Sequence, residues 1–322
     1  MSIREVLKSN KAIRVLGKKI KIYFEFWHDA VDFSHFYLES AESRNNYDYS
    51  IMLYVHSIEK GLCMENARPF GFSKVKNLVK ILKNEKDKEK FEYQAGIAVL
   101  NAWVAFFKEK GWEHAICKEV ESFLSTQEKI DIKCGEKSYS YDWTKNDYRE
   151  YENIVLSRCS VRDFQDRRIN DEDIMSAIKC FQYTPTACNR QMCKLIRVES
   201  KDKKKILLDT LIGIPGFNKE TVSFFVVTYD IAAFAYSGER NQGLFNAGLA
   251  TMNFVNALHA RGIGSCCLQW SNKRSEDRYV RDALGLSDSE RIAIVIGAGY
   301  YLQENIIPCS VRRPIKNIFT TI

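Results

Sequence analysis

Apolar positions recur every three or four residues through long stretches of this chain, then give way to unbroken apolar runs in its second half. Ile174, Ala177, Ile178 and Phe181 keep a helical spacing after Asn170-Asp171-Glu172-Asp173. Asn170 or Asp171 is placed to cap that helix, and the acidic residues suit its first turn. Tyr183-Thr184-Pro185-Thr186 breaks it. Similar spacing predicts helices from Ser73 to Lys83 and from Lys90 to Lys108. From Ile3 to Ile22, Ile3, Val6, Leu7, Ile13, Leu16 and Ile20 alternate with seven basic residues against Glu5, which predicts a basic amphipathic helix.

Three segments read as strands: Leu195-Ile196-Arg197-Val198, Ser223 to Tyr229 and Ile292 to Gly297. The last two are continuous apolar runs rich in β-branched or aromatic residues, so both of their faces should be covered. Between them, Leu244 to Ala260 is apolar on nearly every side, which predicts a central core helix buried all round and ended by Gly262-Ile263-Gly264. The pattern divides the chain into a helical region over 1–150 and a helix-and-strand region over 151–322.

Composition changes this picture little. A chain of 322 residues with 45% hydrophobic content can bury one large core and a smaller one. The formal charge of +7 owes much to the basic helix, and no basic stripe interleaved with aromatics suggests a nucleic-acid partner. That helix could lie on an anionic membrane surface, but packing on the protein's own core is the expectation. Ten cysteines form no C-x-x-C pair and no zinc spacing, so no metal site is expected. No secretion signal or bilayer-length apolar run is visible; a reducing cytoplasm with free thiols is expected.

Chemistry concentrates in three motifs of the second half. They are Ser157-Arg158-Cys159-Ser160-Val161-Arg162, Pro185-Thr186-Ala187-Cys188-Asn189-Arg190-Gln191 and Val311-Arg312-Arg313-Pro314. Guanidinium forks and a short hydroxyl suit a phosphate, which the first and last motifs supply. Asn189, Gln191 and Arg162 offer amide groups and charge to the polar edge of a heterocycle. Cys159, Cys188 and Cys193 fall in the same stretches and read as small apolar filler, with a catalytic thiol as the alternative. No G-x-G-x-x-G follows a strand, so no dedicated nicotinamide site is indicated.

The order of these motifs, with the long apolar helix between the second and third, resembles the nitroreductase family of FMN-dependent oxidoreductases from about Glu152 onward. The resemblance implies an α+β fold, a mixed or antiparallel sheet flanked by helices, here with an α-helical N-terminal domain. It also implies FMN as cofactor, NAD(P)H as electron donor, ping-pong reduction of a small organic substrate, and a homodimer. Carried over residue by residue, Arg158 and Ser160, with Cys159 between them, hold the phosphate and ribityl end. Arg312 reaches the same phosphate, Arg162 sits near the pyrimidine edge, and Asn189 and Gln191 bond the polar edge. Cys267-Leu268-Gln269-Trp270-Ser271 falls where the family lays backbone against the reactive nitrogen, which places Leu268 and Gln269 beside the ring; Trp270 itself reads as a packed aromatic. The chain departs from the family in lacking a glycine there, in reading Met192-Cys193 after Gln191 where Pro-Trp is usual, and in carrying Asn246 where an acidic residue is common.

Within the helical region, His56-Ser57-Ile58-Glu59-Lys60-Gly61-Leu62 resembles an extension of nitroreductase-like proteins encoded near surface-polysaccharide genes. His56, Glu59 and Lys60 share a helix face. They could act as acid and base at the mouth of the site, or tie the extension to the core, which is the expectation. Two other functions stay open: a flavin-dependent tailoring enzyme of polysaccharide biosynthesis, and a non-catalytic binding or scaffold protein of the same fold.

Overall fold

The structure is a computed structural model that describes residues 11–37, 46–64, 67–142, 144, 147–214 and 217–322. Among the described residues six helices come first: α1 (Lys11–Phe36), α2 (Asn46–Leu62), α3 (Phe72–Asn84), α4 (Phe91–Glu109), α5 (Ala115–Leu124) and α6 (Tyr148–Ser157). Then follow α7 (Asp171–Gln182), β1 (Cys193–Val198), α8 (Lys201–Thr210), β2 (Ser223–Asp230), α9 (Gln242–Ala260), β3 (Ile263–Gln269), α10 (Arg274–Leu284) and β4 (Glu290–Tyr300). The fold is α+β, with one four-stranded sheet of order β1-β2-β4-β3 in which every pairing is antiparallel.

The unbroken apolar runs are explained by a three-layer arrangement. Phe224, Val226 and Val295 point to one face, where Leu207 of α8 and Val280 of α10 cover them. Phe225, Val227 and Ile296 point to the other, against Phe181 of α7 and Phe254 of α9. Alternate side chains of one strand thus enter two different cores. A third core draws, among the described residues, on those from 51 to 134, with Trp103 and Phe107 fully enclosed by α2 to α5.

Asn170 is the cap of α7: its side-chain oxygen accepts the Glu172 N–H at 2.9 Å. Gly262, in the left-handed region at φ 70°, turns the chain out of α9. Three expectations need correction. Ile263 and Gly264 do not belong to the helix stop; they begin β3, a strand the sequence pattern leaves unmarked because glycine and cysteine interrupt its apolar run. α9 is not buried all round, since Leu244, Phe245, Leu249 and Met252 form a solvent-facing stripe while Ala247, Ala250, Phe254 and Leu258 face the sheet. The basic helix does not pack on the protein's own core over residues 12–22, which are exposed throughout; residues 3–10 of that expectation lie outside the described residues.

Only the last turns of α1 dock. Asp32 bonds Arg274 through both oxygens, each at 2.8 Å, and Arg291 at 2.8 Å, while Phe33 stacks on Phe234 with centroids 6.3 Å apart. Burial alone would raise the pKa of Asp32, but its bonds to Arg274 and the charges of both arginines outweigh it and hold the carboxyl below its usual range. A depressed folded-state pKa means that the contribution is complete at neutral pH and is lost as pH falls below about 4 and through the depressed value. Asp32→Ala should weaken this docking by about 2 kcal/mol, less than for a fully buried pair because Arg274 stays partly exposed. Amide exchange over 28–36 would then quicken by about 30-fold while exchange in the sheet stays unchanged.

Candidate active site

The first motif begins where α6 ends. Asp147 caps that helix by accepting the Arg149 and Glu150 N–H groups, and Arg158 leaves it in an extended conformation. The chain then runs along the outer edge of β3: Ser160 forms a parallel bridge with Ser265, and the Val161 N–H bonds the Ser265 carbonyl at 3.1 Å. Val161 enters the core, so its extended neighbours Ser160 and Arg162 are turned the other way. Arg158, Cys159, Ser160 and Arg162 are all half-buried. Neither arginine pairs with a carboxylate among the described residues. Two uncompensated guanidinium groups flank one hydroxyl at a sheet edge, a donor set suited to an anion.

Sequence reasoning missed what surrounds Arg158. His259, at the end of α9, bonds the Ser157 hydroxyl through Nε2 at 2.8 Å and the Tyr301 hydroxyl through Nδ1 at 2.8 Å. The Ser157 hydroxyl donates to the Asn153 carbonyl at 2.6 Å, so a consistent arrangement has a neutral imidazole donating from Nε2 and accepting the Tyr301 proton. Burial, reinforced by the charge of Arg158, lowers the pKa of His259 and favours that neutral form. Burial pushes the Tyr301 hydroxyl up to about 12. No sequence signal marks this group, because its members are brought together only by the pairing of β3 with β4 and the return of α9 past α6.

The second motif is a strained turn ahead of β1. Cys188, Asn189 and Gln191 all have φ between 51° and 53°, in the left-handed region. Arg190 holds it there. Its side chain is fully enclosed, with Nε donating to the Ala187 carbonyl at 3.0 Å, the guanidinium bonding the Ala233 carbonyl and Glu239, and Phe234 beneath it at 5.5 Å. Burial would raise the pKa of Glu239, but Arg190 and the Ala235 and Tyr236 N–H groups hold it below the ordinary value. Asn189 and Gln191 are left exposed, and Gln191 lines a groove of about 380 Å³ with Thr186, Cys193 and Ala250. A larger cavity of about 550 Å³ lies on the helical layer beside Tyr47 and Tyr54, and no motif residue lines it. Arg190 is thus the structural centre of a motif in which the sequence pointed to its two neighbours.

At the end of β3, Leu268 is buried in the core and Gln269 is exposed. Trp270 packs against that core and donates its indole N–H to Asp277 at 2.7 Å. Burial raises Cys193 to about 12 and Cys267 to about 11, so neither is a thiolate at neutral pH. Arg312 stands apart on a segment exposed over 306–322, where it bonds the carbonyl of its own Ser310 at 2.5 Å. His56, Glu59 and Lys60 belong to the helical layer: Glu59 accepts the Gly135 N–H at 3.2 Å, while burial and then Lys60 lower the pKa of His56.

One chain therefore gathers Arg158, Ser160 and Arg162 beside β3 and Asn189 and Gln191 beside β1. These strands are the two opposite edges of the sheet. The helical layer reaches the second group, with α2 packed on the Ala187–Asn189 turn and Tyr49 donating to Asp230 at 3.2 Å.

Residues 155–300 match the model of the Nitroreductase family. A protein of Archaeoglobus fulgidus with the provisional name NADH dehydrogenase/NAD(P)H nitroreductase is 24% identical over 148 residues, 46% of this chain and 83% of that protein. The provisionally named NAD(P)H nitroreductase YfhC of Bacillus subtilis is 25% identical over 182 residues, 52% of this chain and 91% of YfhC. Among solved structures, a nitroreductase of Desulfovibrio desulfuricans in complex with FMN superposes with a TM-score of 0.45 at 20% identity, covering 53% of this chain and 95% of that one.

Proposed function

We propose that this chain is an FMN-dependent oxidoreductase that works as a homodimer, drawing electrons from NAD(P)H to reduce a small organic substrate. The observation that carries the reading is the edge of β3, where Arg158 and Arg162, half-buried and without carboxylate partners among the described residues, flank Ser160 inside the segment that matches the family model. That donor set fits a phosphate dianion. Bound FMN would supply the redox chemistry, a two-electron transfer from a nicotinamide to the second substrate. The chain's own residues bind and orient. Arg158 and Ser160 hold the phosphate end, Arg162 lies toward the pyrimidine edge, and the β3 end at Leu268 and Gln269 lays backbone along the ring.

Asn189 and Gln191, at the opposite edge of the sheet, serve the polar edge of the ring bound by the other subunit. This gives the exposed stripe of α9 a purpose, since Leu244, Phe245, Leu249 and Met252 would be covered by the second copy. The helical region to about residue 150, with a core of its own, acts as a separate domain braced on the second motif. All ten cysteines are free thiols, which suits a reducing cytoplasm.

The direct test is the absorbance spectrum of freshly purified protein, with the released cofactor weighed by mass spectrometry. A flavin spectrum and the mass of FMN are expected; a colourless protein that FMN does not reconstitute overturns the reading. For the dimer, Phe245→Glu should weaken association by about 30-fold, the effect of losing about 2 kcal/mol at a central anchor. Sedimentation should show monomers with FMN lost in step, and a dimer of unchanged affinity would disprove the assignment of this stripe.

A further inference from the structure

The first described helix presents an apolar face that no described residue covers. Ile13, Leu16, Ile20, Tyr23, Phe24, Trp27 and Val31 follow one another at helical three- and four-residue steps, so they lie on one side of α1. Every one is exposed, with Trp27 at 66% and Tyr23 at 76%. The half-buried positions, Glu25, His28, Asp32 and Phe36, repeat at the same steps on the far side, where Asp32 meets Arg274 and Arg291. Docking of the last turns therefore aims the apolar stripe away from the protein. A contiguous row of large apolar side chains in that position marks an interaction surface.

Charge identifies the occupant. Over residues 12–27 the helix carries Arg14, Lys18, Lys19 and Lys21 against Glu25, and none of the four cations meets a carboxylate among the described residues. A second copy laid on this stripe would double that uncompensated charge. No described helix is long and apolar enough to cross a membrane. Arg14, Lys18 and Lys21 away from the apolar stripe, Lys19 at its margin, and Tyr, Phe and Trp among the aliphatic residues are the composition of a helix that lies in the plane of an anionic lipid surface. We infer that α1 is a peripheral membrane anchor, inserting Leu16, Ile20, Phe24 and Trp27 among acyl chains while Arg14, Lys18, Lys19 and Lys21 reach anionic headgroups. The anchor holds the body by the Asp32 clamp. The inference is independent of the flavin reading, since none of its residues touches the motifs beside β3.

The test is flotation of the full chain with vesicles of phosphatidylcholine alone and of phosphatidylcholine with an equal share of phosphatidylglycerol. The protein should rise with the anionic vesicles only, and added salt should release it. Lys18→Glu/Lys19→Glu/Lys21→Glu should weaken binding by about 100-fold or more, from roughly tenfold per 1.4 kcal/mol and about 1 kcal/mol per cation. Leu16→Glu/Trp27→Glu should abolish binding with sedimentation mass and circular dichroism unchanged, because these side chains touch no core. Wild-type protein that stays down with anionic vesicles overturns the inference. So does a Leu16→Glu/Trp27→Glu protein of altered oligomeric mass, which would assign the stripe to a second copy.

Discussion

Arg158→Ala protein should lose its flavin. The guanidinium of Arg158 is half-buried at the end of α6 and unspent on any carboxylate among the described residues, so in the proposed complex its bonds go to the phosphate. Hydrogen bonds to a charged group contribute about 1.5–3 kcal/mol, and a two-pronged contact lies at the upper end. Losing about 3 kcal/mol weakens FMN binding by about 150-fold, measurable by fluorescence titration of the apoprotein. Arg158→Lys should recover only part of this, because an ammonium keeps the charge but not the fork. A second readout needs no cofactor. After burial, the charge of Arg158 is what lowers the pKa of His259, so in Arg158→Ala the imidazole should titrate at higher pH, read by NMR. Unchanged FMN affinity together with a shifted His259 would place the phosphate elsewhere while leaving the local geometry intact.

Arg190→Ala should be the most destabilising single change outside the apolar cores. It leaves Glu239 without its cation and the Ala233 carbonyl without its donor, and the Ala187 carbonyl with the backbone N–H of residue 190 alone. Breaking a buried pair costs about 3–5 kcal/mol, and the lower end applies because Glu239 keeps 22% of its side chain exposed. Denaturant unfolding checks the loss. Arg190→Ala/Glu239→Ala should cost less than the sum of the single changes, since neither charge is then stranded. The pair also sets a pH dependence. Glu239 has a depressed pKa in the folded state, so its contribution is whole at neutral pH and vanishes as pH falls through that depressed value; Arg190→Ala should flatten the acid limb. Because Arg190 restrains three left-handed residues, its loss should also free Asn189 and Gln191 and weaken flavin binding.

Much of the fold was legible in local pattern. The buried strands β2 and β4, the helices α3, α4 and α7 and the Asn170 cap follow from apolar period and capping chemistry, which act over a few residues. β3 escaped because its side chains are small and glycine stands second in it; its strand character comes from pairing with β4 and with Ser160. α9 was legible as a helix, but its all-apolar surface could not say which side met the sheet and which was left bare.

The candidate site divides along the same line. By itself the sequence determined many of the elements, the order of the three motifs and the basic amphipathic character of α1, because propensity and periodicity are properties of neighbours along the chain. Only the tertiary structure decided that Ser157 meets His259 across 102 residues and that Arg190 is enclosed while Asn189 and Gln191 are exposed. It also decided that the motifs stand at opposite edges of one sheet and that α1 turns its apolar stripe outward. Those outcomes depend on strand order and on which face of each helix is used in packing, and that choice is made by contacts between segments distant in sequence.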